Sequence, residues 1–221
     1  MKSKCKWIFI LLFLGMVIPE MKAEAAEKTK RYSEKWPVSS VQTLQVVNKF
    51  GEVKVNNSGG SDVTIDVLVT VEATSESRAS ELLNMIKVNF SKSGGTVKAE
   101  TEIENNFKSH QRFSIDYTVN IPADKNLNIS NKYGNTIVNE LNANGEFNIQ
   151  YGNFTAGKLL APTNGSMKVY LAYGKAEISS ASDINVDVKY STMNFGEMRN
   201  LQLLSRYTLV NIEKAAAMKI D

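Results

Sequence analysis

Few side chains in this sequence could do chemistry. His110 is the lone histidine and lies in the polar run Asn105 to Gln111, with no cysteine or second histidine near it. Neither a Ser-His-Asp arrangement nor a histidine-based metal site is expected there, and a solvated loop is the reading. Cleavage of a polysaccharide would need clustered acids, or a Lys or Arg beside acids, on one outward face, and Glu177 and Glu213 are the acids to consider. Lys49, Lys132, Lys189 and Arg206 each stand immediately before an aromatic residue. Lys132, Lys189 and Arg206 are the candidate binding surface, able to attract acidic glycans or lipopolysaccharide phosphates; the competing reading is a solvated edge that discourages aggregation. No glycine-rich phosphate loop occurs. Ser58-Gly59-Gly60-Ser61-Asp62 looks like a calcium-binding solenoid loop but occurs once, where such sites need repetition, and reads as a turn. No catalytic, metal-ligating or cofactor-binding residue is therefore expected.

Whether these residues share a surface depends on a repeat. Tyr133, Tyr151, Tyr173, Tyr190 and Tyr207 are spaced by 18, 22, 17 and 17 residues. Counting from each of the last three, offsets 3, 5, 8, 11, 13 and 15 are apolar in 16 of 17 positions, with Ser205 the exception. A 43% apolar composition placed at random would supply about 7. The two earlier units follow the same pattern, with Thr136 and Gly145 fitting less well, once one residue and a five-residue loop, Ala161 to Gly165, are allowed for. Steps of two are the period of a strand with one buried face, and the steps from 5 to 8 to 11 mark a corner. A unit of 17 residues cannot hold a helical crossover. Stacked units with identical inward offsets therefore predict a right-handed parallel β-solenoid whose coils bury their inward faces only against one another. The Tyr is followed by Gly134, Gly152 and Gly174, then by Ser191 and Thr208, which reads as a corner signature because glycine bends most cheaply. Core or corner packing is expected of the tyrosines, against the alternative of a carbohydrate-stacking row.

The runs Asn131-Lys132-Tyr133-Gly134, Gln150-Tyr151-Gly152, Ala172-Tyr173-Gly174 and Lys189-Tyr190-Ser191, preceded by Tyr117-Thr118-Val119-Asn120-Ile121-Pro122, resemble the β-strand-repeat "putative adhesin" family of bacterial envelope proteins, related to the head-GIN type. The likeness covers residues 41–221. It implies an exported right-handed β-helix and carries no catalytic residues with it.

In the first half, Asn48-Lys49-Phe50-Gly51 repeats the corner with Phe in place of Tyr, so an early coil is expected there. Asp62 to Ala73 alternates as a half-buried strand. Ala79, Leu82, Leu83 and Ile86 form one helical stripe, predicting a helix over about 75–88 with Ser75 or Ser77 as its cap. Ser93-Gly94-Gly95 suits a hairpin, and Arg112 to Ile121 is expected to rejoin the solenoid. Helix and hairpin would cover the exposed first coil.

Residues 1–25 read as an export signal: Lys2, Lys4 and Lys6, an apolar run from Trp7 to Ile18, then Ala23-Glu24-Ala25 as the cleavage site. The run is shorter than the ~20 residues of a bilayer span. Removal of residues 1–25 would leave 196 residues with no cysteine, which excludes disulfides and thiol catalysis. It would also remove four lysines against two glutamates, lowering the net charge from +3 to +1, too little for a bulk electrostatic case for nucleic acid. The expected organisation is thus a signal peptide (1–25), a linker (26–40), an amino-terminal β region with one helix (41–121) and solenoid coils (122–221). Asp221 falls in mid-coil, from which either a longer natural chain or an end that pairs with a partner is expected. The function read from these features is an exported, non-enzymatic adhesin-like binding or scaffold protein of the bacterial envelope, in the periplasm or on the surface. Its expected partner is an envelope glycan or protein, with no nucleic acid and no transmembrane span in the mature chain. A glycan-active β-helix lyase or hydrolase and a periplasmic signalling partner are the alternatives.

Overall fold

The computed structural model describes residues 26–221; the export signal and Cys5 lie outside the described residues. In the second half, each turn of chain contributes two short strands with alternating inward apolar residues. These are β8 (Asn126–Lys132), β9 (Thr136–Leu141), β10 (Gly145–Gln150), β11 (Phe154–Leu159), β12 (Met167–Ala172), β13 (Lys175–Lys189), β14 (Thr192–Arg206) and β15 (Leu209–Ile220). The longer β13 and β14 each run through a bend and serve both faces: the first part of β13 pairs with β11 and the second with β12, all parallel. The result is a β-solenoid of about five turns. Register is strict, Phe154 lying on Ala176 and Ala176 on Met193, while Val169 lies on Val186 and Val186 on Leu203. The inward offsets read from the sequence are buried in the coil that begins at Tyr173, with Ala176, Ile178, Ile184, Val186 and Val188 all at most 3% exposed, whereas Met218 and Ile220 on the last described rung are 52% and 53% exposed.

The amino-terminal part builds the cover. The chain first lays down β2 (Thr43–Lys49) and β3 (Val53–Asn56), the coil expected at Phe50. It then leaves as β4 (Asp62–Ala73), helix α1 (Glu76–Asn84) and β5 (Ile86–Ser93), and returns as β6 (Thr96–Ile103) and β7 (Phe113–Asn120). β6 and β7 form a rung on one side of β2 and β3, while β8 and β9 form the rung on the other. The outer edge of that returning rung is closed by antiparallel partners, β4 on β7 and β5 on β6. An antiparallel cover ends the parallel stack without offering another rung in register. Ser75 caps α1, its hydroxyl accepting from the Arg78 amide at 3.2 Å, and the stripe breaks after Leu83 because Ile86 opens β5. The β5–β6 hairpin turns through Gly94, whose φ is +56°.

The linker expected over residues 26–40 is instead strand β1 (Ala26–Pro37), antiparallel to the full length of β4, from Ala26 opposite Ala73 to Pro37 opposite Asp62. Its lysine-rich composition conceals two anchors. Tyr32 and Trp36 pack against the core, with the Trp36 ring 6.1 Å from that of Phe90. The remaining side chains are mostly charged or polar and exposed, which blunts an edge strand. A boundary at residues 121/122 falls within one continuous 15-stranded sheet.

A polar cluster lies buried where cover meets coils. Tyr117, 1% exposed, shares a 2.8 Å hydrogen bond with the Thr101 hydroxyl. That hydroxyl donates to Asn48 Oδ1 at 2.9 Å, and Asn48 Nδ2 donates to the Ile115 carbonyl at 3.0 Å. One rung along, Asn131 Nδ2 donates to the carbonyls of Gly51 and Asn135, both at 3.0 Å.

Candidate functional site

The corner that carries the aromatic residues is strained in a consistent way. Phe50, Tyr133, Tyr151, Tyr173, Tyr190 and Tyr207 all have φ between 50° and 61°, the left-handed region that a Cβ disfavours. The glycine after the aromatic is needed for a different reason: a Cβ on Gly152 would lie 2.0 Å from the Gly134 carbonyl oxygen, and one on Gly174 would lie 1.9 Å from that of Gly152. In the last two coils hydroxyls replace that close approach, Ser191 donating to the Lys189 carbonyl at 2.8 Å and Thr208 to that of Arg206 at 2.9 Å. Sequence reasoning assigned the bend to glycine; the structure gives the left-handed turn to the aromatic residue.

The rings stack. Centroids from Phe50 through Tyr133, Tyr151, Tyr173 and Tyr190 to Tyr207 are 4.8 to 5.1 Å apart, with interplanar angles from 2° to 19°. Phe113 closes the row beyond Phe50 at 4.9 Å. The tyrosines are corner and not core residues, 43% to 50% exposed from Tyr133 to Tyr190. Both faces of each of those four rings are occupied by neighbouring rings, so only rims and hydroxyls meet solvent. A row on which sugars stack needs open faces, and this one offers none between Phe50 and Tyr190.

The cationic column runs beside this ladder in the order Lys49, Lys132, Gln150, Ala172, Lys189, Arg206, one residue per rung. The structure thus brings Lys189 and Arg206 onto adjacent rungs and leaves Lys132 three rungs away, about 14 Å at ~4.8 Å per rung. Lys132 Nζ is 4.9 Å from the centroid of Tyr133 and 5.6 Å from that of Tyr151. Similar distances to two rings 5.0 Å apart place it at the rim of the ladder, between rungs. Lys189 Nζ lies 5.0 Å from the Tyr170 centroid. The Tyr170 hydroxyl, helped by Asp187, holds its ammonium above the ordinary lysine range. Arg206 Nη2 is 3.7 Å from Asp187 Oδ1.

Tyr170, Asp187 and Lys168 are site residues that the sequence reading missed. Their signal was available: they alternate with the inward Val169, Leu171, Val186 and Val188 and so must point outward. They line a depression of about 430 Å³ with Glu146, Gln202 and Lys219. It adjoins a second of about 300 Å³ lined by Gln45, Asn128 and Ser130, the two sharing Glu146 and Asn148. This outward face mixes amides and lysines with the acids Glu146, Asp187 and Asp221.

On the opposite face Glu177, Asn194, Asn211 and Glu213 line a recess of about 450 Å³. Asn211 Nδ2 donates to Asn194 Oδ1 at 2.8 Å, an amide ladder one step long. Glu177 and Glu213 stand in different columns and two rungs apart. Lys175, 2.6 Å away, holds the Glu177 carboxyl below its usual range. A general acid for glycoside cleavage needs the reverse shift. His110 is exposed in the loop before β7, and among the described residues no three His, Cys, Asp or Glu side chains come together as a metal site. No helix among the described residues is long and apolar enough to cross a membrane.

The arrangement defines a β-solenoid that displays repeated side-chain columns. No family model matches the chain, and no curated protein matches it. Among solved structures it is similar to a "putative cell adhesion protein" from Clostridium sporogenes, at 12% identity and a TM-score of 0.37 over 87% of this chain and 99% of that one. It is also similar to a "putative adhesin" from Bacteroides fragilis, at 8% identity and a TM-score of 0.34 over 87% of this chain and 97% of that one. A third is a "putative lipid binding protein" from Parabacteroides distasonis, at 14% identity and a TM-score of 0.27 over 86% of this chain and 95% of that one. Likeness at this level carries no argument about activity, and the solenoid assignment rests on the strand register itself.

Proposed function

We propose that this chain is a non-enzymatic, adhesin-like binding or scaffold protein, exported to the bacterial envelope, where it holds an envelope glycan or protein. The observation that carries the reading is the column in which Lys132, Lys189 and Arg206 stand with Gln150 and Ala172 between, fixed in register on a stack of parallel rungs. Side chains repeated at rung spacing on a rigid support bind an extended partner with little ordering cost. The lowered carboxyl of Glu177 speaks against acid catalysis on the other face. Export follows from the leader read in residues 1–25, and the mature chain is expected to begin at Ala26, which amino-terminal sequencing of the protein recovered from cell fractions checks.

The test is capture of the purified protein by immobilised envelope glycans and envelope proteins, alongside a cleavage assay on acidic polysaccharides. Capture that weakens with salt and with Lys189→Glu or Arg206→Glu is the expected outcome. Turnover of a polysaccharide that Glu177→Ala or Glu213→Ala abolishes would overturn the proposal in favour of an enzyme.

A further inference from the structure

Resting on the binding reading, we infer that the partner is a linear acidic glycan lying along the solenoid axis beside the tyrosine ladder, and that it must be long enough to bridge two separate cationic points, Lys132 at one end and Lys189 with Arg206 at the other.

Lys132 and Lys189 share a column but are separated by the uncharged Gln150 and Ala172, so their backbone positions are three rungs, about 14 Å, apart along the axis. Both lysines rest against aromatic rings, Lys132 at the Tyr133 and Tyr151 rims and Lys189 at Tyr170. A lysine so held loses less side-chain freedom when an anion arrives. Asp187 is the acid within the second point, 3.7 Å from Arg206, and that cluster keeps one net positive charge. Lys49 extends the first point but shares a recess with Glu100 and Glu102, which leaves Lys132 as its principal cation. Between the two points, no protein hydrogen bond among the described residues engages the hydroxyls of Tyr151 and Tyr173, which stand on adjacent rungs with ring centroids 4.8 Å apart. They are donors for the hydroxyls and carboxylates of a sugar chain. Glycan is favoured over single-stranded nucleic acid because base recognition uses open aromatic faces, and here neighbouring rings cover them.

A ligand reaching both points gains from effective concentration, whereas a short one engages either point alone. The test is titration of the protein with uronic-acid oligomers of increasing length, with neutral oligomers of equal length and an oligothymidylate as comparisons. The expected result is a rise in affinity of at least about tenfold at the first oligomer whose extended length exceeds the gap. The rise should be lost in Lys132→Glu and in Lys189→Glu/Arg206→Glu, but kept in Glu177→Gln on the far face, with circular dichroism showing each variant folded. Affinity that climbs smoothly with length, a step unaffected by Lys132→Glu, or equal binding of the neutral oligomer or the oligothymidylate would overturn the inference. So would binding of no acidic oligomer at any length; capture of an envelope protein or neutral glycan in the earlier assay would then leave the broader binding reading standing.

Discussion

Substitution of adjacent corner residues should produce opposite responses to glycine and alanine. Tyr151 has a φ of 54°, so any side chain there carries the left-handed cost of roughly 1–2 kcal/mol, and glycine is free of it. Glycine adds unfolded-state entropy worth about 0.4–1 kcal/mol. The difference leaves Tyr151→Gly more stable than Tyr151→Ala by about 0.5–1 kcal/mol, the reverse of the order in a strand. Both variants lose the stacking on Tyr133 and Tyr173 at 5.0 and 4.8 Å, so both should fall below the parent by about 1–3 kcal/mol. At the next residue the order inverts. Gly152→Ala would place a Cβ 2.0 Å from the Gly134 carbonyl oxygen and 2.7 Å from its carbon, backbone atoms that cannot swing aside. The loss should reach or exceed the upper end of roughly 1–3 kcal/mol for overpacking. Urea denaturation followed by circular dichroism measures all three, with Thr155→Gly and Thr155→Ala on the exposed side of β11 as the ordinary strand pair. If Tyr151→Gly falls below Tyr151→Ala as the Thr155 pair does, or if Gly152→Ala unfolds with the parent, the account of the corner is wrong.

Other expectations follow from single contacts. Asn131→Ala removes the donor to the Gly51 and Asn135 carbonyls and should cost about 1–3 kcal/mol, read from the denaturation midpoint. Phe154→Ala, which empties a fully buried position against Phe147, should cost about 3–5 kcal/mol, whereas Glu177→Ala, which breaks only an exposed ion pair, should leave the thermal midpoint unmoved. Burial pushes the Tyr117 hydroxyl above the tyrosine range, outweighing its bond to Thr101. Because the folded state favours the neutral form, this contribution is complete below pH ~10, the unfolded value, and is lost as pH rises beyond it. Alkaline titration should therefore show the Tyr117 phenolate only together with unfolding, and Tyr117→Phe should shift the alkaline midpoint upward.

The sequence alone determined the solenoid, because the tyrosine spacing and the inward offsets are both local periodicities and a coil buries its face only against the next coil. The apolar inward residues from Ala176 to Val188 followed from counting, while the buried Ser182 did not. A helix cap at Ser75 or Ser77 was likewise a local matter, and the structure uses Ser75. Tertiary structure alone decided which corner residue takes the left-handed turn, since the need for Gly152 arises from a carbonyl belonging to another rung, a distance that no pattern in one coil contains. It also decided that Ala26–Pro37 is a strand, because its partner β4 lies dozens of residues away and its own composition is that of a solvated segment. The candidate surface divides in the same way. Lys132, Lys189 and Arg206 were legible as a column, but the gap of two uncharged rungs acquired meaning only when stacking turned positions in a list into distances along an axis, and the stacking of the rings alone removed their faces from use.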